Sequence, residues 1–410
     1  MLKFILVLVA WFIFLKFNIK KKGGILNTSS FLLVIYLISF VFAIIHILYN
    51  GIELAYERKY WFGVVFAFLS LLVYFSPYYR FRETNVKELK LPALSILSIL
   101  SILLIIISFF SILYWLPYVG NLFLYSADLG EMRNDYVAGN LTMGAGGIVQ
   151  TLAGISAHLY FLNIIVYFIF KALDVKRSQR LLLLISSVSY VVYVFSAVGR
   201  DGVVFWMFSF VACYLFFRPY LDVSTAKTYK KLIVAAASVM LIPFMMISSS
   251  RFSGGVGGSL VAYMGQSLPN FCFYFCSENP PVNYGSVFPY FCELIDLPHS
   301  SEYWAVEGTT STSFGYFITS FYSSLGFFGF SLLEFAVVVL LLLNFKKNEV
   351  GMRFSCIILY FLFFQIFSQG VFYFRQYSAA GNILIIISFV LIVAFSFVSS
   401  PLKVKQKNVQ

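Results

Sequence analysis

The sequence contains few of the charged residues from which a soluble surface is built. Only 11% of its 410 residues are charged and 60% are hydrophobic, whereas an ordinary soluble domain carries about 25% charged residues. Apolar runs recur along the whole chain, and a spanning helix needs about 20 such residues. Because backbone that faces lipid must satisfy its own hydrogen bonds, these runs are predicted to be helices. The composition therefore excludes a soluble globular protein.

Patterns that bind metals or form disulfides are also missing. The three histidines are scattered, so the sequence predicts no zinc site, and the five cysteines form no CxxC pair. No Asp-x-Asp occurs, so the metal-bound nucleotide site of cytoplasmic sugar-nucleotide transferases is absent. We therefore expect no metal and no cofactor.

The apolar runs predict an all-α polytopic integral membrane protein of about eleven transmembrane helices. Residues 1–410 form a single membrane domain, with a large periplasmic loop at 250–313 and a second one at 117–146. The ninth span is long and is expected to break near Leu325-Gly326. The predicted spans are 2–16, 31–49, 60–77, 93–116, 147–170, 181–199, 202–217, 232–249, 314–344, 354–370 and 377–399.

The positive charges alternate between the two ends of these spans. The net charge is +12, but the lysines and arginines stand in short clusters between apolar runs, which does not indicate nucleic-acid binding. Six clusters on one side hold 22 of the 29 basic residues. The positive-inside rule makes that side cytoplasmic, so we expect a periplasmic N-terminus and a cytoplasmic C-terminus. The clusters lie at 16–22, 80–90, 171–180, 218–231, 346–353 and 403–407.

Four isolated arginines lie on the predicted outer side, each at or near a helix end: Arg133, Arg200, Arg251 and Arg375. The planar guanidinium binds phosphate with two parallel hydrogen bonds. Four such groups in one cavity would form a site for pyrophosphate. The alternative is a structural role in which each arginine pairs with a nearby carboxylate, such as Arg200 with Asp201.

Two of these arginines stand in distinctive local sequences. Arg200 and Asp201 lie between Gly199 and Gly202, where two apolar runs meet with almost no loop, so the pair sits at membrane depth. Arg251 follows three serines and precedes four glycines, and the N–H groups of such a turn can bind phosphate. The alternatives are a neutralised tight turn for the first and a flexible loop for the second.

The large outer loop combines carboxylates and aromatic residues, a mixture that suits sugar binding. Glu302 and Trp304 are the candidate sugar contacts, since carboxylates bind hydroxyls and aromatic faces stack on sugar rings. His299 is the only histidine on the predicted outer face, and an imidazole can act as a base. The alternative is that His299 is merely solvated.

Residues 309–330, TTSTSFGYFITSFYSSLGFFGF, carry a Gly-x-x-Gly pair after an aromatic helix. This stretch, the Gly-Arg-x-Gly turn at Gly199 and the Ser-Arg pair at Arg251 resemble bacterial O-antigen polymerases (Wzy) and related oligosaccharide repeat-unit polymerases. The topology resembles theirs over nearly the whole chain. An Arg-x10-Gly spacing seen in some members is not matched, because Ala262 stands where the glycine would be.

The resemblance implies a glycosyltransferase of the bacterial inner membrane. Its substrates would be undecaprenyl-pyrophosphate-linked oligosaccharides in membrane lipid, joined at the periplasmic face, and a chain-length regulator protein is a further expected partner. Arg251 would bind the donor pyrophosphate, with His299 or Asp201 as further catalytic candidates. An O-antigen ligase, a flippase of the same lipid-linked unit and an ion-coupled transporter are the alternatives.

Overall fold

The computed structural model describes residues 2–24, 27–49, 60–125, 147–199, 201–231, 261–277, 285–298 and 315–407. The helices are α1 (Leu2–Lys22), α2 (Thr28–Tyr49), α3 (Tyr60–Arg80), α4 (Leu94–Tyr125), α5 (Gly147–His158), α6 (Tyr160–Ala172), α7 (Arg177–Ser186), α8 (Ser189–Ser196), α9 (Asp201–Phe217), α10 (Ser267–Phe275), α11 (Pro289–Leu294), α12 (Phe317–Lys347), α13 (Phe354–Gln369) and α14 (Ala379–Phe397). Three short strands are β1 (Glu88–Leu91), β2 (Gly351–Arg353) and β3 (Leu402–Lys405).

The chain is an all-α polytopic membrane protein. Eight of its described helical segments are long and apolar enough to cross a bilayer, and each coincides with a predicted span. They are Thr28–Tyr49, Tyr60–Asn85, Leu94–Gly120, Gly147–Ala172, Arg177–Ser196, Asp201–Tyr220, Phe317–Lys347 and Ala379–Phe397. The first predicted span forms α1, and the tenth forms the shorter apolar helix α13. The eighth, at 232–249, lies outside the described residues, so the total of eleven stays a prediction.

The predicted break in the ninth span is confirmed. Gly326 interrupts α12 with φ 65° and ψ 179°, a backbone conformation that glycine adopts without steric cost. The ring of Phe317 lies 5.0 Å from the ring of Tyr74, and the ring of Tyr322 lies 6.2 Å from the ring of Phe66. Residues 317–325 therefore run antiparallel to α3. Beyond Gly326 the chain reverses, because its next contacts run from Phe66 back toward the Arg80 end of α3. The helix is therefore two antiparallel arms.

A three-stranded sheet in the order β2-β1-β3 joins three of the basic clusters. Strand β1 pairs parallel to β2 and antiparallel to β3. A fourth cluster joins them, since the Tyr220 hydroxyl donates to the Val86 carbonyl and Lys407 pairs with Asp222 at 3.3 Å. Four clusters predicted to share a side thus meet at one end of their helices. The assignment of that end to the cytoplasm stays a prediction.

The described chain divides into two compact units. Unit 1 contains α1 to α3, residues 257–349 as far as they are described, and residues 363–382. In its core the Trp11 indole stacks on Phe40 at 5.4 Å and donates to the Leu33 carbonyl. Unit 2 contains α4 to α9, the sheet, the first half of α13 and most of α14. Tyr160 stacks on Tyr190 at 4.7 Å in its core.

Candidate functional site

A group of polar side chains in unit 1 lies at the middle of α2. Ser39 is the twelfth of 22 residues in α2, so at 1.5 Å per residue it lies about 16 Å from each end. Its hydroxyl donates to the Met264 carbonyl at 3.1 Å and lies 3.2 Å from the Tyr316 hydroxyl. Met264 belongs to the stretch predicted as the large outer loop. Part of that stretch therefore reaches the mid-length of a spanning helix.

Residues 261–277 pack along α2 and α3 because two glycines allow the backbones to meet. A β-carbon at Gly265 would lie 2.6 Å from the Phe42 carbonyl carbon and 2.9 Å from the Ala43 nitrogen. A β-carbon at Gly63, near the first turn of α3, would lie 3.3 Å from the sulfur of Cys272. The segment is thus a buried helix that runs from the middle of α2 toward the Tyr60 end of α3. The side of the membrane that it faces stays a prediction.

Two further helix ends lie at the same level. Helix α13 ends at Gln369, and the Tyr36 hydroxyl of α2 donates to its Phe367 carbonyl at 2.8 Å. Helix α12 begins at Phe317, whose N–H donates to the Gly370 carbonyl at 2.8 Å. Backbone that is not helical is tolerated at membrane depth only when protein buries it or it lines a water-filled cavity. The residues after α13 are buried, which meets this condition.

Three amide side chains lie at or after the end of α13: Gln369, Gln376 and Asn382. Gln376 donates to the Gln369 side-chain oxygen at 2.9 Å, and Asn382 donates to the carbonyls of Gln376 and Val287 at 2.6 and 3.2 Å. Their remaining oxygens, Gln376 Oε1 and Asn382 Oδ1, are buried and have no hydrogen-bond partner among the described residues. Thr319 Oγ1 in the first turn of α12 shares this property. Buried acceptors of this kind indicate bound water or a ligand that donates hydrogen bonds.

Arg375 lies beside these amides, in a 3-10 turn just before α14. It is half-buried, and its guanidinium lies 5.9 Å from the centre of the Tyr373 ring. The next ring, Phe374, packs 4.7 Å from Phe321 of α12 and 5.9 Å from Phe288. Arg375 is therefore anchored against the stretch that resembles the polymerase motif. We call Arg375, Gln369, Gln376, Asn382 and Thr319 the polar centre of unit 1.

Asp201 lies in unit 2, as the first residue of α9. After the end of α8, Val198 has φ 52°, and the Gly199 N–H donates to the Val194 carbonyl at 2.9 Å. A β-carbon at Gly199 or Gly202 would lie within 2.7 Å of the Val194 side chain. Both glycines are therefore needed for close packing against Val194. This packing accounts for the two glycines of the Gly-Arg-x-Gly pattern.

Of the candidate site residues, only Asp201 and Arg375 are described. Arg133, Arg200, Arg251, His299, Glu302 and Trp304 all lie outside the described residues, so the convergence of the arginines stays a prediction. Within the described ranges, no three His, Cys, Asp or Glu side chains come together as a possible metal site.

The amides of the polar centre are absent from the candidate residues above, although the sequence contains a signal for them. Gln369 stands near the end of an apolar run, and Asn382 stands near the start of another. An amide inside a spanning segment is costly unless it has a partner, so such residues are candidates for a polar site even though they carry no charge.

No protein-family model matches the chain, and no curated protein and no solved structure matches it either. A functional assignment therefore rests on the residues themselves and on the resemblance of residues 309–330.

Proposed function

We propose that the chain is a glycosyltransferase that polymerises undecaprenyl-pyrophosphate-linked oligosaccharide repeat units at the periplasmic face of a bacterial inner membrane. The product would be an O-antigen or capsule-type polysaccharide. One observation carries the proposal: Phe374, the residue before Arg375, packs against the arm of α12 that resembles the polymerase motif. The two segments are about fifty residues apart in sequence, and they meet beside buried amides.

The chemistry requires a positive group at the departing pyrophosphate. Arg375 would stabilise the charge that develops there, because its guanidinium forms two parallel hydrogen bonds with phosphate oxygens. The guanidinium lies 5.9 Å from the centre of the Tyr373 ring, within the range of a cation–π interaction. Arg133, Arg200 and Arg251 would complete this role, as expected from their positions in the sequence.

The acceptor sugar requires hydrogen-bond acceptors and a base. The buried oxygens of Gln376 and Asn382 lack partners among the described residues, and sugar hydroxyls are donors that would satisfy them. His299 would remove the proton from the attacking hydroxyl, with Asp201 as the alternative base, and Glu302 and Trp304 would hold the sugar. The two lipid-anchored substrates would gain a high effective concentration in one cavity.

The test is complementation of a deletion strain with the wild-type chain, Arg375→Ala or Arg375→Lys, at matched membrane levels. Arg177→Ala is the control, because Arg177 is an exposed arginine at the start of α7 in unit 2. We expect glycans of a single repeat unit with both Arg375 variants and full-length chains with Arg177→Ala.

The alternative functions give different products in the deletion strain. A ligase would leave no glycan on the lipid A core, and a flippase would leave lipid-linked units on the cytoplasmic side. Either pattern would refute the polymerase. Proteoliposomes with the purified chain and lipid-linked repeat units supply the direct assay, in which chain growth must release undecaprenyl pyrophosphate.

A further inference from the structure

The second arm of α12 carries an acidic residue in its interior. Among the eight candidate spans, Glu334 is the only Asp or Glu away from an end. It stands eight residues after Gly326 and thirteen before Lys347, which places it about 12 and 20 Å from those points. Glu334 therefore lies near the middle of the membrane. A carboxyl group at this depth is costly in its charged form, and such residues are usually functional.

Glu334 belongs to the face of α12 that packs on α3. The buried residues of this arm, Phe330, Val337, Leu341 and Phe345, recur at helical spacing and are at most 9% exposed. Glu334 takes the position between Phe330 and Val337, so its carboxyl group enters an otherwise apolar seam. On the opposite face, Leu332 and Phe335 are 69% and 67% exposed, as expected for residues that face lipid.

Among the described residues, no cation pairs with the carboxyl group of Glu334. Glu334 Oε1 is buried without a hydrogen bond among the described residues, and no salt bridge forms there. The titratable neighbour on α3 is Tyr74, which interacts with Glu334 electrostatically, and its buried hydroxyl also lacks a partner in the described chain. Tyr322, on the other arm of α12, lies 6.0 Å from Phe330. Tyr74 and Tyr322 are phenols rather than cations, so neither would pair with a carboxylate.

We propose that Glu334 is a proton-binding site at mid-membrane, whose acid form is open to the lipid phase. Two observations support access from lipid: Glu334 is only partly buried, and Leu332 and Phe335 of the same helical turns are exposed. A neutral carboxyl group avoids the cost of an unpaired charge in the seam. The inference is independent of the polymerase proposal, because it concerns a different residue and a different ligand.

Hydrophobic carbodiimides detect such a site. The proton of the acid moves to a carbodiimide nitrogen, and the carboxylate oxygen bonds to the central carbon. The O-acylisourea formed then rearranges, by transfer of the acyl group to nitrogen, into a stable N-acylurea. All atoms of both reactants are retained, and nothing is oxidised or reduced. The reaction requires the acid form and a reagent that dissolves in lipid.

The experiment treats the purified full chain in liposomes with dicyclohexylcarbodiimide and maps the adduct by peptide mass spectrometry. Asp174 is the control, because its side chain is 84% exposed and paired with Arg180. We expect an adduct on Glu334 and none on Asp174, with the yield falling as the pH rises. A water-soluble cationic carbodiimide should reverse this selectivity. Glu334→Gln should lose the adduct and Glu334→Asp should retain it.

Two results would overturn the proposal. One is the absence of an adduct on Glu334 at acidic pH in chain that still elutes as a folded particle. The other is equal modification of Glu334 and Asp174 by the hydrophobic reagent. Because the wild-type chain is mapped directly, neither result depends on a variant that folds. Polymerase activity is not measured, so failure here leaves the proposed function standing.

Discussion

Replacing Gly265 with alanine should separate residues 261–277 from α2. The added methyl carbon would lie 2.6 Å from the Phe42 carbonyl carbon and 2.9 Å from the Ala43 nitrogen. Ordinary contact begins at 3.4 Å, so the two helices must move apart by about 1 Å, because the obstacle is backbone rather than a flexible side chain. The 3.1 Å hydrogen bond from Ser39 to Met264 would lengthen with the same movement.

The expected loss of stability has two contributions, the overpacking and the weakened hydrogen bond. Overpacking a well-packed interior costs about 1 to 3 kcal/mol, and loss of the hydrogen bond adds about 1 kcal/mol. A free-energy loss of 1 kcal/mol lowers the melting temperature of a medium-sized domain by about 2 to 4 °C, so we expect a decrease on the order of 5 to 10 °C. The assay is thermal unfolding of the detergent-solubilised chain, followed by size-exclusion chromatography.

Gly120→Ala is the matched control. Gly120 also lies within a helix, but a β-carbon there would meet nothing within 4 Å. Alanine is the better helix former by about 1 kcal/mol, so this variant should melt at or slightly above the wild-type temperature. If Gly265→Ala melts like Gly120→Ala, the close approach of residues 261–277 to α2 is wrong.

Three further predictions concern charge. Arg375→Lys keeps the charge but loses the planar fork, so chain growth in proteoliposomes should fall by about a hundred- to a thousand-fold at an unchanged melting temperature. Burial lowers the pKa of Lys22 from 10.5 to about 8, against the opposing effect of Glu83. Between pH 8 and 10.5 the unfolded chain therefore binds more protons than the folded chain. The free energy of unfolding should rise with pH across that range, and it should rise more in the wild-type chain than in Lys22→Met. Equal slopes of this free energy against pH in the two chains would contradict the prediction. In a cysteine-free background, an impermeant maleimide should label Asn283→Cys in intact cells and leave Lys405→Cys unlabelled; the reverse would overturn the topology.

The elements that could be predicted from the sequence are those whose cause is local. Apolar runs of about 20 residues specify spanning helices by themselves, and eight of them appear where the hydrophobicity places them. The break in α12 was predictable for a similar reason, because a glycine in a long helical run marks the point where a left-handed backbone costs least. Neither inference requires knowledge of what lies beside the segment.

The sheet had no such local cause. Its strands are only three or four residues long, and β1 pairs with segments more than 250 residues away in sequence. The charge pattern predicted that these segments share a side, yet it contained nothing about their hydrogen bonding. The polar centre could not be predicted for the same reason. A helix that ends in the middle of a bundle, as α13 does at Gln369, depends on donors from distant elements rather than on its own sequence.

Donors from distant elements hold the end of α13 in place. The carbonyls at the end of α13 are satisfied from three elements: Phe367 by the Tyr36 hydroxyl, Gly370 by the Phe317 N–H and Phe372 by the Ser267 hydroxyl. The amide nitrogen of Gln376 donates to the Gln369 side-chain oxygen, and that of Asn382 donates to the carbonyls of Gln376 and Val287.

Each of the two amides also has an acceptor oxygen. Gln376 Oε1 and Asn382 Oδ1 are buried and have no donor in the described chain. An unpaired buried oxygen costs about 1 to 3 kcal/mol, which a hydroxyl-bearing ligand would recover on binding and an apolar one would not. A surplus of acceptors beside an arginine suits a molecule with hydroxyl donors at one end and phosphate acceptors at the other. That is the chemistry of a lipid-pyrophosphate-linked sugar.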